Sequence, residues 1–326
     1  MSVTLRSFAK INLGLVIGPR RRDGFHQLST IYHTLGLHDL VTLEAGRGTG
    51  IQITCNHPRV PLGRENTCYQ MAQRWLRLLG LKRRVVIRIR KRLPVAGGLG
   101  AASSNAAATL FALERELKIK PEPAETLRLA ARVGSDVPLF LLGGAVLGLG
   151  RGEEVYPLPD LPPVACVVVT PPVAVSTPAA FAAWDARARQ AARRRKLTSA
   201  PPSDRINVLS RAFGAWLAGT PTGVPATAGR NRAEALLLDL VRTGIENDFE
   251  QVVFSRHPEL RDLKHSLERE GASYASLSGS GSSVYGLFAD AGAARRAAAR
   301  LKQRGVAAQL TALLPRRQYW KRLAAQ

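Results

Sequence analysis

Small residues, hydroxyls and a helix start converge in Leu93-Pro94-Val95-Ala96-Gly97-Gly98-Leu99-Gly100-Ala101-Ala102-Ser103-Ser104-Asn105. Glycine permits positive φ and close approach of backbone to a ligand, and the first turn of a helix aims free N–H groups at an anion. Ser103 and Ser104 fall at that helix start, where a hydroxyl caps the helix or reaches a phosphate or its metal. From the residues alone two uses stay open: a cradle for nucleotide phosphates, or an ordinary tight turn with a serine cap. Other phosphate motifs fail. The chain has no Gly-Lys dipeptide, which excludes a Walker A loop, and the run from Gly98 to Ser103 falls one residue short of the dinucleotide fingerprint. The HRD and DFG signatures of protein kinases are absent. Cys55, Cys68 and Cys166 are odd in number without CxxC spacing, and the six histidines form no HExxH pair. That argues against a disulfide framework or zinc ribbon and makes a reducing cytoplasm the expected location.

Such a loop needs a strand before it and a helix after it. Val85, Ile87 and Ile89 alternate with Arg84, Val86, Arg88 and Arg90, the pattern of a half-buried strand with a basic outer face. An Ala-rich helix then runs to about Leu117, and a second is predicted over 123–133. Upstream, strands are predicted over 3–8 and 10–17, separated by one small residue, and over 41–44 and 51–54. A helix over 66–79 ends at Gly80, a glycine cap. The proline-dense stretch Tyr156-Pro157-Leu158-Pro159-Asp160-Leu161-Pro162-Pro163 marks a domain boundary. Beyond it come a strand over 165–170 and a helix over 178–195. Residues 198–230 are rich in Pro, Gly, Ser and Thr, with one predicted helix over 207–217, and read as a surface insertion. The tail reads helix 258–270, strand 274–277, glycine turn, strand 284–288, helix 291–304 and strand near 307–310. That α-β-β-α-β order suits a ferredoxin-like domain. The expected organisation is an α+β chain of two domains, 1–157 and 164–326, with an insertion around 187–243.

The whole composition fits a core-forming protein: 326 residues, 45% hydrophobic, 22% charged. No run reaches the roughly 18 apolar residues of a membrane span, and the first ten residues lack the apolar core of a signal peptide. A formal charge of +23 predicts attraction to phosphates, on nucleic acid, membrane surface or small anions alike. The basic residues are scattered, without a nucleic-acid reader motif or interleaved aromatics, so a specific nucleic-acid partner is not expected.

Further segments narrow the choice. Phe8-Ala9-Lys10-Ile11-Asn12-Leu13-Gly14-Leu15 opens the chain, Gly134-Ser135-Asp136-Val137-Pro138-Leu139-Phe140 follows the second helix, and Leu277-Ser278-Gly279-Ser280-Gly281-Ser282 lies near the end. With the loop at 94–105 they resemble, in order and spacing, the motif set of the GHMP small-molecule kinases. Arg22-Asp23-Gly24-Phe25-His26 resembles the RxDGYH segment of the branch whose acceptor is a cytidine-diphospho-polyol. Ser176-Thr177-Pro178 to Phe181 and Asn247-Asp248-Phe249-Glu250 are similar to that branch's later landmarks. The resemblance covers nearly the whole chain except roughly 187–243.

It implies the two-domain GHMP kinase fold, an N-terminal ATP-binding α/β domain with a C-terminal ferredoxin-like domain, and ATP with Mg2+ as cofactors. Asp136 would be the catalytic base and Lys10 its partner; a carboxylate accepts the proton of an attacking alcohol, and a nearby ammonium favours the ionised form. An ordinary interdomain salt bridge is the plainer alternative. The loop Pro94, Val95, Ala96, Gly97, Gly98, Leu99, Gly100, Ala101, Ala102, Ser103, Ser104 would hold the ATP phosphates, with Ser104 reaching the phosphate–magnesium assembly and Asn66 near the adenine. Phe25, His26 and Phe181 match positions that hold the cytosine, two flat rings able to sandwich it and a histidine to bond its edge. Asn12 and Thr177 match positions near the diphosphate and polyol. Core packing for the rings, a solvated turn for His26 and a plain hairpin for 279–281 are the alternatives.

The chain departs from the family in three places. Phe25 replaces the usual Tyr, which keeps stacking and loses a phenol hydrogen bond. Ala96, Ala101 and Ala102 stand where Gly is common; alanine at positive φ costs roughly 1–2 kcal/mol. The basic insertion has no counterpart. Another acceptor alcohol within the family, or nucleic-acid binding, are the competing functions.

Overall fold

The computed structural model describes residues 2–194 and 246–325; the predicted helix over 207–217 and most of the insertion lie outside them. The chain opens with two long strands, β1 (Ser2–Arg20) and β2 (His26–Gly46), paired antiparallel. Sequence reading breaks β1 at Ala9. The structure carries the strand through, with irregularities of register between Phe8 and Lys10 and between Asn12 and Gly14. Residues 7–17 are buried throughout, so the polar–apolar alternation by which a half-buried strand is recognised is missing.

β3 (Gly50–Cys55), α1 (Thr67–Leu78) and β4 (Arg84–Arg90) follow, then α2 (Ala101–Leu117), α3 (Pro123–Val133), α4 (Leu139–Leu142), β5 (Ala145–Leu149) and β6 (Glu154–Pro157). The first sheet runs β3-β4-β2-β5-β6, with β1 also on β2. Beyond the proline-rich connection lie β7 (Ala165–Val169), α5 (Thr177–Arg194), α6 (Glu250–Arg256), α7 (Pro258–Arg269), β8 (Tyr274–Leu277), β9 (Val284–Phe288), α8 (Ala291–Gln303), β10 (Ala308–Ala312) and α9 (Arg316–Arg322). The second sheet has the order β10-β7-β9-β8, antiparallel throughout. Relative to its own chain order this is 4-1-3-2, the ferredoxin-like arrangement the tail predicts.

Three apolar clusters make four layers: helices, sheet, sheet, helices. Met71, Trp75, Leu110 and Leu113 pack on Leu43, Val85 and Ile87 of the first sheet. Between the sheets, Ile11, Leu13 and Ile31 meet Cys166, Val168, Tyr285 and Leu287. The alternate residues Val167, Val169, Val284 and Phe288 face the outer layer with Leu260, Leu267 and Leu301. A strand sending successive side chains to opposite faces gives this division directly. The end of the chain departs from the simple two-part division. Leu314, Tyr319 and Leu323 return to the first cluster, and Arg6 N–H donates to the Leu323 carbonyl at 2.8 Å.

Candidate active site

Lys10 and Asn12 lie two residues apart on β1, so their side chains share one face. Lys10 Nζ donates to Asn12 Oδ1 at 2.6 Å. Asn12 Nδ2 donates to Thr30 Oγ1 at 2.7 Å, and that hydroxyl donates to the Gly14 carbonyl at 2.7 Å. This relay, buried from end to end, fixes both the Asn12 amide and the ammonium it holds. Asp136 approaches from the turn between α3 and α4, with Oδ2 at 3.4 Å from Lys10 Nζ; the lysine side chain is 4% exposed and the aspartate 31%. Its other oxygen, Oδ1, accepts from the Tyr32 hydroxyl at 3.0 Å. Burial, reinforced by the Asp136 charge, holds the Tyr32 phenol far above its usual titration range, so it remains a donor.

The glycine-rich loop passes beside this pair. Gly98 (φ +75°) has no room for a side chain: a Cβ there would lie 2.2 Å from the Ser278 carbonyl oxygen. At Gly100 (φ +67°) a Cβ would meet Lys10 Cγ at 2.8 Å. Glycine is therefore required by crowding as well as by φ. Ser278 Oγ donates to the Gly98 carbonyl at 3.0 Å and Ser283 N–H to the Gly97 carbonyl at 3.1 Å, which locks the loop to its counterpart in the second domain. Asn247 holds that counterpart, its Nδ2 donating to the Leu277 and Gly279 carbonyls at 2.9 and 2.7 Å. The plain hairpin alternative for 279–281 therefore understates its position. A Cβ on Gly279 would come within 3.4 Å of Lys10 Nζ.

Two cavities meet at Gly98 and Gly100, which line both. The larger, about 590 Å³, holds Lys10, Asn12, Phe25, His26, Asp136, Thr177 and Phe181, the whole predicted catalytic and acceptor set. The smaller, about 270 Å³, is lined by Asn66 and by Pro94 to Ser103. Ser104 differs. It is 2% exposed and lines neither cavity, because on α2 it turns inward while Ser103 faces out. Ser103, not Ser104, is the hydroxyl that opens onto the smaller cavity. Asn66 is also engaged structurally: it caps α1 by accepting from Cys68 N–H at 2.8 Å and donates to the Pro61 carbonyl at 2.6 Å. Of the three alanines, Ala101 and Ala102 open α2, whereas Ala96 sits at φ +61°.

The aromatic pair does not stand as an open sandwich. Phe181 stacks on His26, with ring centroids 5.2 Å apart and an interplanar angle of 9°, and meets Phe249 edge-on at 4.9 Å. Both nitrogens of His26 face acceptors, the Gly18 carbonyl and Asp185 Oδ1, each at 3.0 Å. Phe25 is 50% exposed and lies under the Arg151 guanidinium, 4.8 Å from its ring centroid. Sequence reasoning missed Tyr32, Arg151 and Asp185. Asp185 had a signal, since it stands one helical turn after Phe181 on α5 and so reaches the same neighbour. Tyr32 and Arg151 had none, because their proximity depends on pairing between β2 and β5.

A glycine-rich loop at an uncapped helix start, beside a buried ammonium and a carboxylate, on a fold with a ferredoxin-like second domain, is the arrangement of a small-molecule kinase of the GHMP class. Comparison with known proteins agrees: the domain family described as GHMP kinases N terminal domain matches residues 66–144, and that described as GHMP kinases C terminal matches residues 230–307. The chain is 36% identical over 301 residues to 4-diphosphocytidyl-2-C-methyl-D-erythritol kinase of Moorella thermoacetica, covering 92% of this chain and 95% of that one. It is 38% identical over 296 residues to the enzyme of the same name from Solibacter usitatus, covering 90% and 83%. A crystal structure of 4-(cytidine 5'-diphospho)-2C-methyl-D-erythritol kinase superposes with a TM-score of 0.69 at 32% identity, over 96% of this chain and 99% of that one. The chain belongs to the 4-diphosphocytidyl-2-C-methyl-D-erythritol kinase family.

Proposed function

We propose that the chain transfers the γ-phosphoryl group of ATP to the 2-hydroxyl of 4-diphosphocytidyl-2-C-methyl-D-erythritol, a step of the non-mevalonate route to isoprenoid precursors. The observation that carries this is the Lys10–Asp136 pair, set at 3.4 Å in the larger cavity, with Lys10 beside the Gly100 that the two cavities share. Asp136 takes the acceptor's proton as the oxygen–phosphorus bond forms and the bond to ADP breaks. Lys10, fixed by Asn12, neutralises charge gathering on the transferred group. The free N–H groups at the start of α2, where no side chain caps the helix, receive the phosphates. Phe25, Phe181, His26, Thr177 and Asn12 form the acceptor side, and Arg20 and Arg151 add positive charge to it.

Among the described residues no group of three or more His, Cys, Asp or Glu could hold a metal ion. Mg2+ would arrive on the nucleotide, and the Ser103 hydroxyl, which lines the smaller cavity, would be the protein oxygen offered to it. Bound there, the ion would screen the phosphate charges. No helix among the described residues is long and apolar enough to cross a membrane. Cys55, Cys68 and Cys166 are free thiols, the state a reducing cytoplasm keeps.

The acceptor is tested by ADP release with this substrate against mevalonate and homoserine; equal turnover with all three would sink the assignment. Asp136→Asn is expected to keep the fold and nucleotide affinity while lowering turnover at least 100-fold, within the range for a general base. Full activity in that variant would remove Asp136 from the role.

A further inference from the structure

We propose that Tyr32 is a positioning residue for phosphoryl transfer: its buried hydroxyl engages Asp136 Oδ1 and leaves Oδ2 turned toward Lys10 and the acceptor cleft. The inference rests on the reading of Asp136 as the base. A carboxylate on a turn, partly exposed, has two equivalent oxygens and free rotation about its terminal bond. Here one oxygen is taken by a donor at 3.0 Å and the other sits 3.4 Å from an ammonium, so the rotation is arrested. The tyrosine is itself held. It pairs with Asn12 across β1 and with Val146 across β5, and its ring lies beneath Lys10 Nζ, 5.5 Å from the centroid.

The surroundings leave space for this one side chain. A Cβ on Gly148 would come 2.5 Å from Tyr32 Cε2, and one on Gly152 would come 2.3 Å from the hydroxyl oxygen. Two glycines, on β5 and in the turn after it, thus make the slot in which the phenol reaches Asp136. The burial that holds the phenol protonated keeps it a donor across the working pH range.

Tyr32→Phe keeps the ring under Lys10 and deletes only the hydroxyl. A hydrogen bond to a charged group is worth enough to predict a fall in kcat of roughly 10- to 100-fold, with KM for both substrates and the equilibrium affinity for ADP unchanged within about twofold. The same substitution placed in the Asp136→Asn background, followed in single turnover with excess enzyme, should cost less than about twofold, because the group through which Tyr32 acts is already gone. An unchanged kcat, a change confined to KM, a loss of thermal stability that carries ADP affinity with it, or the same fractional loss in both backgrounds would each overturn the proposal and leave Asp136 as the base. Full activity in Asp136→Asn alone would instead remove the base, and this role with it.

Discussion

Ala96, like Lys118 at φ +54°, is a residue whose identity conflicts with its conformation. It holds φ +61° inside the glycine-rich loop, where an L side chain is strained and glycine is not. Ala96→Gly should relieve roughly 1–2 kcal/mol of strain and give back about 0.5–1 kcal/mol through the freer unfolded chain. The net expectation is a rise in stability of up to about 1.5 kcal/mol, read from the urea midpoint at constant slope. A lower midpoint would mean that the alanine methyl contributes packing beyond its strain. Gly98 and Gly100 are the contrasting case, since substitution there collides with Ser278 carbonyl or with Lys10 and should damage the loop whatever φ allows.

At the scale of elements, β2 carries both an acid-sensitive group and the site. His33 pairs with Ala145 of β5, is fully buried, and accepts no partner at Nε2. Burial pushes its imidazole down to about 4, outweighing the Thr34 carbonyl and Asp160, which act the other way. It is therefore neutral in the fold, while in the unfolded chain it takes a proton below about 6.5. Its contribution to stability is complete above that pH and is lost as pH falls toward 4, by about 3 kcal/mol over the interval. Urea unfolding at pH 7.5 and 4.5 should show the wild type losing about 2–3 kcal/mol more than His33→Gln. Equal losses would show that carboxylates elsewhere account for the acid limb. Burial on both faces also removes the alternation by which β1 would be recognised as one strand, and the small residue Ala9, where its pairing with β2 shifts register, looks in sequence like a break.

Across the whole molecule, the end of the chain ties the second domain back to the first. Tyr319 of α9 is buried against Phe8 at a centroid distance of 5.3 Å and donates to the Phe140 carbonyl at 2.7 Å. A Cβ on Gly143 would come 2.4 Å from its ring, so the glycine is shaped to receive it. Tyr319→Ala should cost about 3–5 kcal/mol, the range for emptying a large aromatic site, measured by thermal or urea unfolding. A cost under about 1 kcal/mol would mean that α9 is a detachable tail. The +23 charge belongs to this scale too. It favours approach of polyphosphates in general, whereas Lys10, the lysine proposed to meet the transferred group, is buried and held by a relay of neutral side chains.

The ferredoxin-like tail, the helices around the glycine-rich loop and the grouping of Lys10, Asp136, Asn12, Thr177 and the glycines in one cavity were legible in the sequence. Local periodicity determines the elements, and motif order carries the family likeness. Three matters were decided only by tertiary structure. Ser103 rather than Ser104 faces the smaller cavity, because the docking of α2 chooses which side of its first turn is buried. Phe181 stacks on His26 instead of standing open to a base, because α5 packs across the start of β2 and brings Asp185 with it. Tyr32 reaches Asp136 because β2 is held between β1 and β5, which sets residues 104 positions apart side by side. Spacing along a chain records what a single helix or strand will place on one face; contacts between elements follow from how their buried faces fit, and no local pattern encodes that.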